Sequence, residues 1–471
     1  MGGMTRVVVV GGGFAGLAAA LFLSRRGHAV TLVERDAGPA EGGSADDDAL
    51  QWKRPGVPQS RQGHLLLARA RRVLLEEAPD VLDEFVARGI RQVPAVVGAG
   101  SLAGEQFLTS RRLVAEATLN RIVARESTIV RRTGDAVAGL LTNGSGPTPV
   151  VTGVRLASGD EVPAELVVDA GGRRSALPAW LSALGTREPI DHVQPCGFSY
   201  LTRFYRTRPG CEQPPTRVPA AVSLDYANVI AFGADNETFS LTLTLSTDDP
   251  YRSRLRKPDC FEAFMRMVPA AAPWVTTGDP IGAISTMSRI ENRRRNLVDA
   301  DGPVVGGLVA IGDASLHTNP TLGSGISMAV WQAQQLAIAA PSAADDPTAF
   351  VQQFHDWTTD NLGVWFDTQV ATDEANLARL AAGLRGERLD PASDPASRFL
   401  AGAFRCALDN KVVGDAVTAV VHLLAPPAVA FADPEVTSVV MAYLATDPQL
   451  DRPPDTPDRR HFERLMASHG S

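Results

Sequence analysis

The hydrophobic pattern of the first forty residues is the most ordered in the chain. Val7–Val10 form a short, wholly apolar, β-branched run, which predicts a strand buried on both faces. Three glycines follow, Gly11-Gly12-Gly13, then Phe14-Ala15-Gly16 and a small-apolar stretch from Leu17 to Leu23 that reads as a helix. Arg25-Arg26-Gly27-His28 supplies a basic last turn and a glycine stop. A second β-rich run, Ala29–Val33, ends at Glu34, completing a βαβ unit.

Further on, residues 37–60 are rich in Gly, Asp, Pro and Ser and predict a long loop. Leucines at helical spacing predict helix from His64 to Val86, and residues 110–126 predict another. Runs near 150–170 predict strands, the last of them Leu166-Val167-Val168. Phe239–Leu245 alternates apolar and polar for seven residues, the pattern of an antiparallel strand with one buried and one wet face. Leu308–Ile311 predicts a return to a buried strand, and a helix is expected from about Gly325. Residues 345–471 read mostly as helices with proline-rich breaks near 391–395, 426–434 and 448–457. There is no internal repeat.

Composition narrows the function classes. The chain has 471 residues, 44% hydrophobic and 21% charged, so it can bury a large core. With 45 Lys+Arg against 53 Asp+Glu, the net charge is −8, which argues against nucleic acid as a partner. Only Lys53, Lys257 and Lys411 are lysines, so a lysine-dependent mechanism has few candidates. The four cysteines, Cys196, Cys211, Cys260 and Cys406, form neither a zinc pattern nor a disulfide framework, so free thiols, a reducing cytoplasmic setting and no metal site are expected. The weakly polar stretch Ala416–Ala432 contains His422 and Pro426-Pro427, so no transmembrane segment is expected.

Three segments carry candidate chemistry. In Gly11-x-Gly13-x-x-Gly16 the first glycine allows the tight turn, the second allows backbone approach to a diphosphate, and the third allows close packing of helix on strand. Glu34, 23 residues after Gly11, stands where an acid accepts hydrogen bonds from a ribose hydroxyl. This motif fits FAD and NAD equally. The second segment is Leu166-Val167-Val168-Asp169-Ala170-Gly171-Gly172-Arg173-Arg174-Ser175. The third is Leu308–Gly312-Asp313, followed by Asn319-Pro320-x-x-Gly323-Ser324-Gly325-Ile326. There an acid at a strand end can bind a polyol, and a helix start can direct positive dipole at an electron-rich ring. Val96-Val97-Gly98-Ala99-Gly100-Ser101 imitates a second dinucleotide motif, but lacks a following helix and strand-end acid and is read as a loop cluster.

In this order the three motifs resemble the FAD-dependent monooxygenases of the p-hydroxybenzoate hydroxylase superfamily, over roughly residues 5–345. Ser110-Arg111, Gly56-Val57-Pro58-Gln59 with Arg61 and His64, and Tyr200-x-Thr202-Arg203-x-Tyr205-Arg206 add to the resemblance. They are similar to the actinobacterial branch of polyketide-tailoring hydroxylases and epoxidases. The resemblance implies an α/β fold, α+β overall: a discontinuous Rossmann-like FAD-binding domain (1–75, 105–188 and 286–344), an inserted antiparallel substrate domain (76–104 and 189–285), and a helical C-terminal region (345–471).

It further implies that FAD is held by Gly11, Gly13, Phe14, Ala15, Gly16, Glu34, Arg35, Arg111, Asp169, Gly312, Asp313, Pro320, Gly323, Ser324, Gly325 and Ile326. Arg111 would contact the ribityl or diphosphate region, Asp313 the ribityl chain, and Pro320, Gly323 and Gly325 the ring. NADPH or NADH would supply electrons, and one oxygen atom of O₂ would pass to a small-molecule substrate by way of a flavin hydroperoxide. His64, Arg61, His317 and Pro320 are the candidate active-site residues. Oligomeric state, monomer or homodimer, is left open. Many superfamily members carry Asp-Gly where Gly171-Gly172 stands here, which bears on handling of the nicotinamide. Three alternatives share the FAD motifs: an oxygen-independent reductase of prenyl or polyene chains, a flavin halogenase, and a non-catalytic flavin-binding partner protein. The halogenase resembles a family with a catalytic lysine and a W-x-W segment, and none of the six tryptophans here forms one.

Overall fold

A computed structural model describes residues 4–144, 146, 148–215, 221–389, 394–446, 450 and 456–469. Its centre is a five-stranded sheet in which every neighbouring pair is parallel. Strand β1 (Arg6–Val10) lies between β2 (Ala29–Glu34) and the strand Leu166–Asp169; Ile129–Thr133 and Leu308–Ala310 form the two outer positions. Helix α1 (Phe14–Arg25) connects β1 to β2 and packs against the helix Gly325–Ala339. Parallel strands covered on both faces read as continuous apolar runs, and Val7, Val8, Val9, Val167 and Val168 are all buried. The predicted βαβ unit and the α/β class are therefore present as read.

The second large sheet is antiparallel, in the order Ala221–Ser223, Ala227–Gly233, Thr238–Ser246, Phe198–Thr207, Gly278–Met287. One expectation fails here. The alternating strand Thr238–Ser246 is buried on both faces: Ser240, Thr242 and Thr244 are buried as well as Leu241 and Leu243. The apolar face packs with Phe261, Phe264 and Trp274 from the helices Pro258–Met267 and Ala272–Thr277. The hydroxyl face turns toward the parallel-sheet half of the molecule, where Thr242 Oγ1 and Thr202 Oγ1 lie 2.7 Å apart and Thr202 donates to Gln62. Polar alternation marked a face, and tertiary packing rather than water covers it.

Two local readings also change. Residues 37–60 contain the helix Ala45–Leu50, with Ser44 as its cap and Asp47 completing a capping box. Its Asp48 is buried between Arg88 and Arg121, at 2.5 and 2.6 Å. The predicted helix from His64 to Val86 is instead a strand, Gly63–Leu66, and two helices, Ala68–Glu77 and Pro79–Ala87. His64–Leu66 joins a separate three-stranded sheet by pairing with Ser110–Leu108, and Pro79 restarts the helix because proline lacks the N–H that an uninterrupted one needs.

The helical C-terminal region divides among three packing sites. The helix Pro347–Leu384 runs beside both sheets. The helices Pro395–Cys406, Lys411–Val421 and Pro434–Leu444 share a core with Val97. The last helix, Arg459–Ser468, places Phe462 against Tyr226, Tyr251 and Phe264 on the antiparallel sheet and its helices. Among the described residues no helix is long and apolar enough to cross a membrane.

The decoy motif at 96–101 has a structural explanation. It is the tip of the hairpin Arg91–Val97/Gly100–Arg111, and Lys411–Val421 docks directly on it. Ala99 N–H donates to Ala407 O at 2.8 Å and Ser101 N–H to Asp415 Oδ1 at 2.8 Å. A Cβ on Gly100 would lie 1.9 Å from the carbonyl carbon of Gly414. The glycines allow backbone-to-backbone contact with a helix, not with a nucleotide.

Gly100→Val is therefore expected to lower stability by about 2–3 kcal/mol and to render residues 395–444 sensitive to limited proteolysis; an unchanged digestion pattern would contradict this docking. Nearby, His422 is fully buried, with its ring 5.1 Å from Phe107 and Nδ1 3.4 Å from Ala68 N. Burial lowers its pKa from 6.5 to about 4. The unfolded chain then binds this proton at higher pH than the folded one, so stability falls as pH drops below 6.5 and the effect levels off below about 4. Going from pH 7 to pH 5, denaturant unfolding should show a loss of about 2 kcal/mol from this residue, and that increment should be missing in His422→Gln.

Candidate functional site

Register along the parallel sheet aligns Val10 with Asp169, and Asp169 with Ala310. The turns that follow, at Gly11, Ala170–Ser175 and Gly312–Ala314, therefore meet at one edge. They border a cavity of about 900 Å³ that continues beneath the antiparallel sheet and the C-terminal helices. Ligands of open parallel sheets bind at the carboxyl ends of strands, where the winding reverses, and β1 is that position here.

The first turn divides its glycines by role. Gly11 has φ +107°, and a Cβ on it would fall 2.4 Å from Ala170 O. A Cβ on Gly16 would fall 1.8 Å from Gly11 O, so α1 starts against the turn itself. Gly13 differs: its φ is −82°, and a Cβ would meet nothing nearer than Arg54 Nη2 at 3.9 Å. Gly13, Phe14 and Ala15 border the cavity, and α1 has neither a side-chain cap nor an acid in its first turn. The free N–H groups and positive dipole of that turn suit an anion.

Glu34 also borders the cavity, as does Arg35. Its Oε2 accepts from Gly12 N–H at 2.6 Å and its Oε1 from Asp36 N–H at 2.7 Å, so the second strand end is tied to the glycine turn. Behind it, buried Arg54 forms ion pairs with Glu34 at 3.2 Å, Glu116 at 3.0 Å and Asp36 at 3.7 Å. Burial works against the Arg54 charge, and Glu116, Glu34 and Asp36 outweigh it, raising its pKa.

Asp313 sits in the single turn Gly312–Ala314. Gln59 Nε2 donates to its Oδ2 at 3.0 Å, and His317 Nδ1 lies 3.4 Å from the same oxygen. Burial alone would raise the Asp313 pKa, but His317 and Arg112 hold it below the usual carboxylate range. Gly312, at φ +58°, lets this turn press on Ala15 of α1, with a Cβ 2.8 Å from the Ala15 methyl. After it come Pro320–Leu322, Gly323 in the left-handed region at φ +68°, and Ser324 at the start of Gly325–Ala339. Pro320, Gly323, Ser324, Gly325 and Ile326 all border the cavity. His317 and Ser324 are buried on its wall, and neither the His317 ring nitrogens nor the Ser324 hydroxyl has a hydrogen-bond partner in the protein.

Four of the sequence candidates lie off the cavity wall. Gly16 is packed under the turn. Asp169 is wholly buried and accepts from Gly171 N–H at 2.9 Å and Ser175 Oγ at 2.5 Å, so it shapes the 171–175 loop from behind; burial raises its pKa. Arg61 is exposed and bonds Leu50 O at 3.2 Å. The Arg111 guanidinium is taken up by Asp235, at 2.6 Å, and Asp46, at 2.7 Å. Its neighbour Arg112 faces the cavity instead, 3.1 Å from Glu116 and 3.3 Å from His64 Nε2. The strand ends at Arg111 and Arg112 opens the next helix, so the two guanidinium groups part. His64 borders the cavity too, and burial followed by Arg112 lowers its pKa to about 3, so it is a neutral ring.

The sequence reading missed Arg54, Gln59 as a partner of Asp313, Arg112, and a buried polar cluster. In that cluster Asp373 accepts from Asn319 Nδ2 at 2.7 Å, Asn292 Nδ2 at 2.8 Å and Gln369 Nε2 at 2.9 Å. Tyr200 donates to Asn319 Oδ1 at 2.6 Å. Burial raises the pKa of both Asp373 and Tyr200. Four distant segments are thus fastened behind the Pro320 turn. Asp373 gave no signal in the sequence because, on a 38-residue helix, it looks like one more solvated acid.

Residues 6–146 match the family described as DAO, FAD dependent oxidoreductase. Protein Rv3254 of Mycobacterium tuberculosis (strain ATCC 25618 / H37Rv) is 27% identical over 359 residues, which cover 70% of this chain and 71% of that protein. Among solved structures, a flavoprotein/dehydrogenase from Cytophaga hutchinsonii superposes with TM-score 0.63 at 15% identity, covering 94% of this chain and 100% of that one. The flavin-dependent brominase Bmp2 gives 0.61 at 16%, covering 93% and 99%. PqsL, a probable FAD-dependent monooxygenase from Pseudomonas aeruginosa, gives 0.58 at 18%, covering 81% and 96%. At these identities the structural likeness establishes the fold, which is that of the flavoproteins the sequence resembles.

The free space at Gly13 separates binding from folding. Gly13→Val should give a folded protein that melts with the flavin-stripped parent and purifies without flavin, because a Cβ there faces the cavity and meets nothing nearer than Arg54 Nη2. Gly16→Val should fail to fold. A flavin-replete Gly13→Val protein would remove this turn from the cofactor site.

Proposed function

We propose that this FAD-dependent oxidoreductase is a monooxygenase. It would take electrons from NADPH or NADH and insert one oxygen atom of O₂ into an organic substrate, by hydroxylation or epoxidation. The observation that supports this most is the continuity of the cavity. It passes without a break from the diphosphate-type turn at Gly11–Gly16, past Asp313 and Pro320–Ile326, into a compartment roofed by the antiparallel sheet. The proposed division of labour assigns residues 1–75, 105–188 and 286–344 to FAD, 76–104 and 189–285 to the substrate, and 345–471 to closing the compartment.

The residues present fit FAD. The open Gly13 backbone and the start of α1 suit its diphosphate, Glu34 its adenosine ribose, and Asp313 with Gln59 its ribityl chain. The Pro320–Ile326 turn suits the ring, and the Ser324 hydroxyl and His317 Nε2, without protein partners, are polar groups left for it. When bound and reduced, the flavin supplies the activation of O₂. The protein's part is to orient the substrate and to keep water out. Dipole from the helix Gly325–Ala339 favours negative charge beside its first turn. Neutral His64, hydrogen-bonded through Nδ1 to Gln62 O at 2.9 Å, adds no charge of its own.

Lysine-dependent halogenation fits less well: Lys53, Lys257 and Lys411 are all exposed, and none borders the cavity. Oxygen-independent reduction of a prenyl chain and non-catalytic flavin binding are separated by turnover. Substrate-stimulated NAD(P)H oxidation, with label from isotopic O₂ in the product, is the expected result. Anaerobic product formation would replace this reading with the reductase. Asp313→Ala should retain the fold, lose at least tenfold in FAD affinity, and lose turnover in parallel; normal flavin content in that variant would refute its assignment.

A further inference from the structure

The cavity is divided by charge. Its ionisable wall residues, Tyr200 apart, lie on the segments at the parallel-sheet edge or, for His64 and Arg112, beside them. The half formed by the antiparallel sheet and the C-terminal helices carries no ionisable side chain except the neutral phenol of Tyr200, among the described residues. Ile230, Phe232 and Met287 form its sheet side, and Ala371, Leu400 and Phe404 stand opposite. Its remaining polar groups are uncharged, Thr368, Thr372 and Asn376 among them.

We propose that this compartment selects an uncharged, lipophilic substrate and rejects organic acids of the same shape; the proposal rests on the monooxygenase reading and specifies its substrate class. A carboxylate entering a water-poor space without a counter-ion loses several kcal/mol of hydration and gains no ion pair. The wall cation beside His64, Arg112, is already paired with Glu116 at 3.1 Å, and Arg379 does not border the cavity. Its Nη2 donates to Asn228 Oδ1 at 2.7 Å and to Asn376 Oδ1 at 2.9 Å. The ionisable group directly behind Tyr200 and Asn319 is Asp373, an acid, which repels an anion further. An amine finds no free oxygen on Asp373 to hydrogen-bond, because both already receive Asn292, Asn319 and Gln369. Leu400 and Phe404 remain 41% and 37% exposed at the wall, so a bound lipophilic molecule sheds water against their apolar carbon.

An isosteric pair tests charge alone: anthraquinone-2-carboxamide and anthraquinone-2-carboxylate, titrated into the FAD-loaded protein at pH 7.5 and read by calorimetry and by perturbation of the flavin absorbance. The amide is expected to bind at least tenfold more tightly. Thr372→Arg, which places a cation on the wall, should shift that ratio at least tenfold toward the acid. If the acid binds the unaltered protein as tightly as the amide, or if neither binds, the proposal is overturned. The comparison of amide and acid stands on the unaltered protein even if Thr372→Arg fails to fold. NAD(P)H oxidation and isotopic oxygen transfer in the same preparation report on the monooxygenase reading separately. A tenfold preference without oxygen transfer would sink that reading and leave the charge selection in place.

Discussion

Everything about the site depends on how closely two backbones approach at the start of α1. Gly16 lies so near the Gly11 carbonyl that a Cβ there would sit 1.8 Å from the oxygen. This contact seats the helix against the end of β1 and aims its first turn along the sheet edge. The parallel register then does the rest, because it aligns Val10, Asp169 and Ala310 and so brings three glycine-rich turns together. Gly312 repeats the device, pressing the third turn onto Ala15. A larger residue at any of these points would separate the elements that form the cavity.

Around that apolar centre the protein keeps buried charge in closed groups. Arg54 is shared by Glu34, Asp36 and Glu116, and Arg111 by Asp235 and Asp46. Isolated, a buried charge such as Arg54, Glu116 or Asp235 would cost several kcal/mol. Grouped, they fasten loops that have little apolar surface of their own. The segment 54–64, poor in regular structure, is held this way by Arg54, and Gln59 then reaches Asp313. The Asp373 cluster extends the principle to the C-terminal helix, where one acid joins three amide side chains from three segments. A helix remote in sequence thereby determines how the Pro320 turn faces the cavity.

Much of the fold was legible in the sequence because its signals are local. The valine run, the spacing of Gly11, Gly13 and Gly16, the strand-end Glu34, and the Gly-Asp and Pro-x-x-Gly-x-Gly turns each express a backbone requirement within a few residues. Readings failed where a local pattern had two explanations. Alternation in Thr238–Ser246 predicted a wet face, and the hydroxyl side is instead covered by another part of the chain. Helical leucine spacing ran over His64, which pairs as a strand with Ser110. By contrast, the reading of the glycines at 98 and 100 as a loop cluster rather than a nucleotide turn holds, and they accommodate a helix some three hundred residues away.

The sequence by itself determined the α/β class, the flavin-type motifs and their order along the chain, since these follow from strand, turn and helix chemistry at short range. Tertiary structure alone decided which side chains meet. It put Arg112 rather than Arg111 on the cavity, set Arg54 behind Glu34, buried Asp373, and lined the far half of the cavity with uncharged groups. Those outcomes depend on register and on contacts between segments hundreds of residues apart, where burial and charge pairing are properties of the assembled fold and of no single stretch of chain.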